Sequence, residues 1–256
     1  MGKPLGIIIY QGPSQLDGKP IIAIANGIKN KSENSKVGEM IQIWIMRSDI
    51  NPILANKLGY DFSVCGNCKH RDFGSCYVNL AQAPNEVFKA FHRQRYVKYT
   101  TDMIGYFENK NIRLGSYGDP AAVPIEIWDN LCSVAANYTG YTHQWATCNP
   151  NLKNYCMGSV DSIKEQHKAT GMGWRTFRIR LEGENVLNNE FICPASKERG
   201  KLLDCTECGA CSGLKVENRR SVCIKAHGLD HKIKKFIAGM KKIRNKKKYR
   251  KEFIKI

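Results

Sequence analysis

Acidic residues are scarce in this chain: 23 Asp and Glu stand against 40 Lys and Arg, for a formal charge of +17 over 256 residues. That deficit excludes an acidic polyelectrolyte and makes polyanions the natural partners. Long apolar runs are also missing. None approaches the roughly 20 residues needed to span a bilayer, so no membrane partner is expected. The N-terminal stretch offers only Leu5 to Tyr10 as an apolar run and no small-residue cleavage site. No signal peptide is therefore expected, and the expected location is a reducing cytoplasm. There is no repeat of fixed period and no Pro- or Ser-rich linker. A phosphate-cradling P-loop, a Ser-His-Asp triad and a carboxylate pair for acid–base work all lack a recognisable signature.

What is present is enough apolar sequence, 42%, to bury a real core. The charge is uneven. Residues 229–256 hold 12 Lys or Arg against 2 acids, a net of +10, and the rest of the chain carries the other +7. The expected organisation is thus an α/β metal-binding domain over residues 1–228 and a basic, partly helical C-terminal tail over residues 229–256. Nucleic acid is the expected partner of that tail, with a solvated, solubilising end as the alternative. Within the tail, Ile233, Phe236, Ile237 and Met240 recur at helical spacing, so a first stretch should dock on the body.

Two β-like runs mark the first fifty residues, Pro20 to Ala25 and Met40 to Met46. Further on, the pattern predicts helices over 85–99 and 124–136. Strands are predicted over 112–116, 141–145, 155–160, 174–180, 191–193 and 221–226. Strands alternating with helices imply parallel pairing through crossovers, in an open sheet or a full or partial (β/α) barrel.

Cysteine is plentiful, at 11 residues, and seven of these fall in two sets. The tighter is Cys205-x2-Cys208-x2-Cys211 with Cys193 upstream. Two-residue gaps let one loop wrap a metal centre with backbone N–H groups aimed at sulfur, and three such ligands plus a remote fourth suit a 4Fe-4S cluster. Structural zinc more often takes two separated C-x2-C pairs, and it remains the alternative. The second set, Cys65-x2-Cys68-x7-Cys76, leaves one coordination position open unless His70 fills it. It reads either as a closed Cys3His zinc site or as an iron–sulfur cluster with a free iron. Cys132, Cys156 and Cys223 read as core packing.

The order of motifs resembles a divergent radical S-adenosylmethionine barrel. Cys76 is followed by the aromatic Tyr77, a glycine-rich Gly115-Ser116-Tyr117-Gly118-Asp119-Pro120 segment closes the second strand, and Ser159-Val160-Asp161-Ser162 closes the fourth. The first cysteine set departs from the superfamily's C-x3-C-x2-C spacing. The resemblance implies iron–sulfur chemistry with S-adenosylmethionine, and it makes Gly115, Gly118 and Ser159 the cofactor-binding candidates. Over about residues 7 to 228, the phrases Cys-Tyr-Val-Asn, Gly-Asp-Pro-Ala-Ala-Val-Pro and Gly-Tyr-Thr-His-Gln-Trp also resemble a cysteine-rich family of phages and plasmids, which supplies no function to carry over.

Asp119, His143 and Asp161 are the catalytic candidates, because each follows a predicted strand, where α/β folds place their sites. Asp161 and Ser162 could instead simply cap the next helix, and Asp119 its own loop. Arg113, Arg175 and Arg178 lie in strand patterns, where a buried guanidinium should need an anionic partner.

Overall fold

Isoleucine-rich runs near the N-terminus form a three-stranded antiparallel meander, β1 (Gly6–Pro13), β2 (Pro20–Asn26) and β3 (Ile41–Arg47). The computed structural model describes residues 2–29, 38–215 and 219–253, with side chains as far as residue 243. β1 is a strand that the sequence pattern did not single out, because its second half, Tyr10-Gln11-Gly12-Pro13, breaks the apolar run. It pairs all the same, with a register shift between Ile8 and Tyr10.

After β3 the chain passes through α1 (Pro52–Leu58), α2 (Phe62–Cys65), α3 (Lys69–Phe73), α4 (Ala83–His92) and the short β4 (Val97–Lys98). It then alternates: β5 (Asn111–Tyr117), α5 (Ile125–Val134), β6 (Asn137–Thr142), β7 (Met157–Val160), α6 (Ile163–Gly171), β8 (Thr176–Arg180), β9 (Glu190–Ile192), α7 (Cys205–Cys208), β10 (Ser221–Lys225) and α8 (Asp230–Phe253). The helix expected over 85–99 stops at His92, because Gln94 takes a left-handed φ of 55° and the following residues pair with β1. The strand expected to reach Trp145 ends at Thr142, whose hydroxyl accepts from the Gln144 N–H at 2.9 Å and turns the chain.

All the strands join one sheet in the order β4-β1-β2-β3-β5-β6-β7-β8-β10-β9. From β3 to β9 every neighbouring pair is parallel. The parallel strands are laid down largely in sequence order in one direction. The fold is therefore mixed α/β with a mostly parallel sheet. Among the described residues the sheet is not closed, with β4 and β9 as its outer strands.

The main core is built on Ile7, Ile21, Ile22, Ile24, Ile43 and Ile45, all fully buried, and on Trp128, whose indole N–H donates to the Pro120 carbonyl at 3.0 Å. Cys132, Cys156 and Cys223 are buried, as expected of packing residues. A smaller cluster gathers Met157, Ala210, Cys211 and Val222 around the second cysteine loop. The first turns of α8 dock on α3: Phe236 and Met240 are buried, and Gly239 lies so close to the Phe73 ring that a Cβ there would sit 2.4 Å from it. The Lys246-Lys247-Lys248 side chains lie outside the described residues. Among the described residues no helix is long and apolar enough to cross a membrane.

Candidate metal centre at the carboxyl ends of the strands

The carboxyl end of each parallel strand leads into a chemically rich segment, and several of these segments meet. β3 feeds the helices α1 to α3 that carry Cys65, Cys68 and His70. β5 ends at Gly118-Asp119, β6 at His143 and β7 at Asp161. Gly118 makes the turn after β5 possible. It has φ 83°, and a Cβ there would sit 2.5 Å from the Ile45 carbonyl oxygen. Gly115, at φ 85°, is similarly held against the Gly118 carbonyl. Both glycines thus have a backbone reason to be where they are. Ser159 is buried within β7.

Asp119 is the linchpin of this edge. Its backbone N–H donates to the Val64 carbonyl at 2.6 Å. One carboxylate oxygen accepts from the Ala121 N–H at 3.0 Å and the other from the His143 N–H at 2.8 Å. Burial raises its pKa, opposed by these N–H groups and by the Thr142 hydroxyl. The carboxylate therefore both caps its own turn and ties β5 to β6.

Asp161 is buried and is not the helix cap: Ser162 caps α6, accepting from the Glu165 N–H at 3.2 Å. One Asp161 oxygen lies 3.2 Å from His70 Nε2, and the other accepts from Lys69 Nζ at 3.2 Å. Lys69 also pairs with Glu165. Burial works to raise the Asp161 pKa, but the His70 hydrogen bond and the charges of His143, His70 and Lys69 outweigh it and hold the carboxyl below the usual range.

The three thiols of the first set sit in this network. Cys65 feels the charges of Cys68, Cys76, Asp61 and Asp119, and Cys68 feels Asp161 and Asp119. Backbone N–H groups of Arg71 and His70 point at the Cys68 sulfur, and that of Val78 at the Cys76 sulfur. Tyr117 buries its hydroxyl beside Cys65 without an ordinary hydrogen bond. Burial pushes all three thiols up, Cys68 to about 12. A metal bound here would supply the positive charge that burial withholds from these thiols.

The second set converges as well. Cys211 feels Cys193, Cys205 and Cys208, and the Tyr141 hydroxyl donates to it. Cys205 and Cys208 share α7, whose first turn is closed by a capping box between Asp204 and Glu207. Among the described residues no three cysteine sulfurs approach one another as closely as the His70, His143 and Asp161 ligand atoms, which lie within 4.8 Å.

Of the three strand arginines, Arg178 meets the expectation, with a bidentate pair to Glu190 at 2.7 Å. Arg175 does not: its guanidinium donates to four carbonyls, those of Ala210, Gly213, Arg219 and Arg220. No carboxylate is needed, because the loop turns its carbonyls inward. Arg113 donates to the Tyr77 hydroxyl at 3.0 Å, lies 5.7 Å over the Tyr141 ring and feels Cys205, so it stands between the two cysteine sets.

No family model, curated protein or solved structure matches this chain. The site must be read from its own residues. Sequence reasoning passed over Lys69, Glu165, Tyr141 and Gln144, whose amide accepts from the Asn67 N–H at 3.1 Å and donates to the Cys65 carbonyl at 3.1 Å. For Lys69 the one available signal was its position inside the first cysteine set.

Proposed function

We propose that this protein is an iron–sulfur enzyme of the radical S-adenosylmethionine type, acting on nucleic acid or another anionic substrate. The observation that carries this reading is the meeting of the Cys65 and Cys68 thiols, with Cys76 beside them, and the carboxylates Asp119 and Asp161 at the carboxyl ends of the parallel strands. Cys65, Cys68 and Cys76 would hold the reactive cluster, and Cys193, Cys205, Cys208 and Cys211 a second one. Such a cluster, reduced by an external electron donor, would supply the electron for reductive cleavage of S-adenosylmethionine.

The remaining work falls to side chains of this chain. Tyr117 and Gln144 shape the first cysteine loop, and Asp119 aligns the His143 segment. The glycine turn at Gly115 and Gly118, with Ser159, would seat the cofactor. A cavity of about 310 Å³ between Phe62, Asn67, Gln144 and Cys148 borders that loop and offers space for a ligand. Arg113, facing Cys205 with no carboxylate of its own among the described ion pairs, suits an anionic centre. The resemblance to phage and plasmid proteins makes a mobile element the source and the host cytoplasm the place of action.

The alternative reading is a zinc- or iron–sulfur-stabilised nucleic-acid-binding protein without catalysis, and the basic α8 favours it. Anaerobic, cluster-loaded protein given dithionite and S-adenosylmethionine should form 5′-deoxyadenosine. None formed by fully loaded protein would leave the binding module as the reading.

A further inference from the structure

We infer that His70, His143 and Asp161 form a mononuclear site for a divalent first-row metal ion, separate from the cysteine sets. Their ligand atoms lie within 4.8 Å of one another although they come from three segments: α3, the end of β6 and the end of β7. His70 Nε2 and Asp161 Oδ1 are already 3.2 Å apart. That is close to the ligand–ligand distance of about 3 Å that metal bonds of about 2.0–2.1 Å impose. His143 Nε2 is buried and has no hydrogen-bond partner. A buried ring nitrogen left so costs free energy that a metal bond would recover.

The surroundings prepare the ligands. His70 Nδ1 lies 2.9 Å from Ser75 Oγ. A hydroxyl can donate or accept, so Ser75 can take the Nδ1 proton's hydrogen bond and leave the Nε2 lone pair free. Asp161 divides its oxygens, Oδ2 to Lys69 and Oδ1 to the site, so that one stays available. His143 stands edge-on to His70, with ring centroids 5.7 Å apart, and its backbone N–H is pinned by Asp119. Phe236 covers the other face of His70. Two imidazoles and one carboxylate leave coordination positions open, and this donor set suits Fe²⁺, Co²⁺ or Zn²⁺ with water or substrate completing the shell. The site is independent of the iron–sulfur reading, since none of its donors is a cysteine, and it takes His70 away from a Cys3His site, both ring nitrogens facing Ser75 and Asp161.

The test is Co²⁺ titration of the full chain, wild type against His143→Ala. Thiolate-bound Co²⁺ gives strong near-ultraviolet charge-transfer bands, and imidazole and carboxylate ligation gives only weak visible bands. The variant should lose one equivalent of Co²⁺, and the lost spectrum should lack the charge-transfer band. Asp161→Asn should reproduce the loss and serves as the second variant if His143→Ala does not fold. Ser75→Ala should keep the equivalent but weaken it by about 10–100-fold. Cobalt uptake unchanged in both His143→Ala and Asp161→Asn, or a lost equivalent that carries the sulfur band, would overturn the inference. Iron and sulfide content should match wild type in His143→Ala. A protein that holds no iron at all would sink the cluster reading while leaving this equivalent in place.

Discussion

The Phe236 ring stacks on the His70 ring, with centroids 4.8 Å apart and planes inclined by 24°. A residue of the basic C-terminal helix is thereby the wall of a site assembled from loops far away in sequence. Lys232, one turn earlier, donates to the Cys76 carbonyl and strengthens the same contact.

From this contact follows a first expectation. Phe236→Ala removes a nearly fully buried ring and should cost about 3 kcal/mol if the gap does not collapse. Hydrogen exchange should show the amides of the first turns of α8 opening faster, with β2 and β3 unchanged. Unaltered protection in α8 would mean that Met240 and the Lys232 bond suffice to dock it.

Arg175 gives a second. Arg175→Leu strips four carbonyls of their donor, two of them buried, and at about 1–3 kcal/mol for each buried unsatisfied group the loop carrying Cys208 and Cys211 should lose its shape. Arg175→Lys should fall between the two, because one ammonium cannot reproduce the planar fork. Iron analysis should show the second set emptied while the first stays loaded. Equal loss from both sets would show that the loop is not an independent unit.

Metal removal is the third. Anaerobically purified protein should be brown and hold about 4 to 8 irons per chain. Chelation should lower its unfolding midpoint, since metal binding at converging cysteines is also folding free energy. Cys208→Ala should lose the second centre. Colourless protein carrying one or two zinc ions and no sulfide would leave a zinc-stabilised fold.

The fourth concerns the tail. If about six phosphates are neutralised, log affinity for nucleic acid should fall with log salt at a slope of about −5. Ending the chain after Gly239 removes nine of the twelve tail Lys and Arg and should abolish most of that slope. It leaves Phe236 and both cysteine sets in place. An unchanged slope in the shortened protein would make the tail a solubility device.

Much of the architecture was legible in residue pattern alone, for local reasons. Isoleucine-dense runs announced β2 and β3, and strand–helix alternation announced parallel pairing. The helical spacing of Phe236 and Met240 announced a docked face. Close spacing singled out Cys205, Cys208 and Cys211, because two-residue gaps are a property of the chain itself. β1 was missed because its second half is polar and partly exposed and is held as a strand only by pairing with β2, and the short β4 because it exists only through pairing with β1. Asp161 could be placed after a strand, but cap and buried carboxylate look alike until Lys69 and His70 arrive from 92 and 91 positions away. The same holds for Arg175, whose partners are carbonyls that no side-chain code announces. Sequence by itself therefore determined most of the element types and the spacing of the cysteine sets, since these rest on near neighbours. Only the tertiary structure decided that His70, His143 and Asp161 share one site, because the parallel register sets which strand ends meet, and that register is a long-range property of the whole sheet.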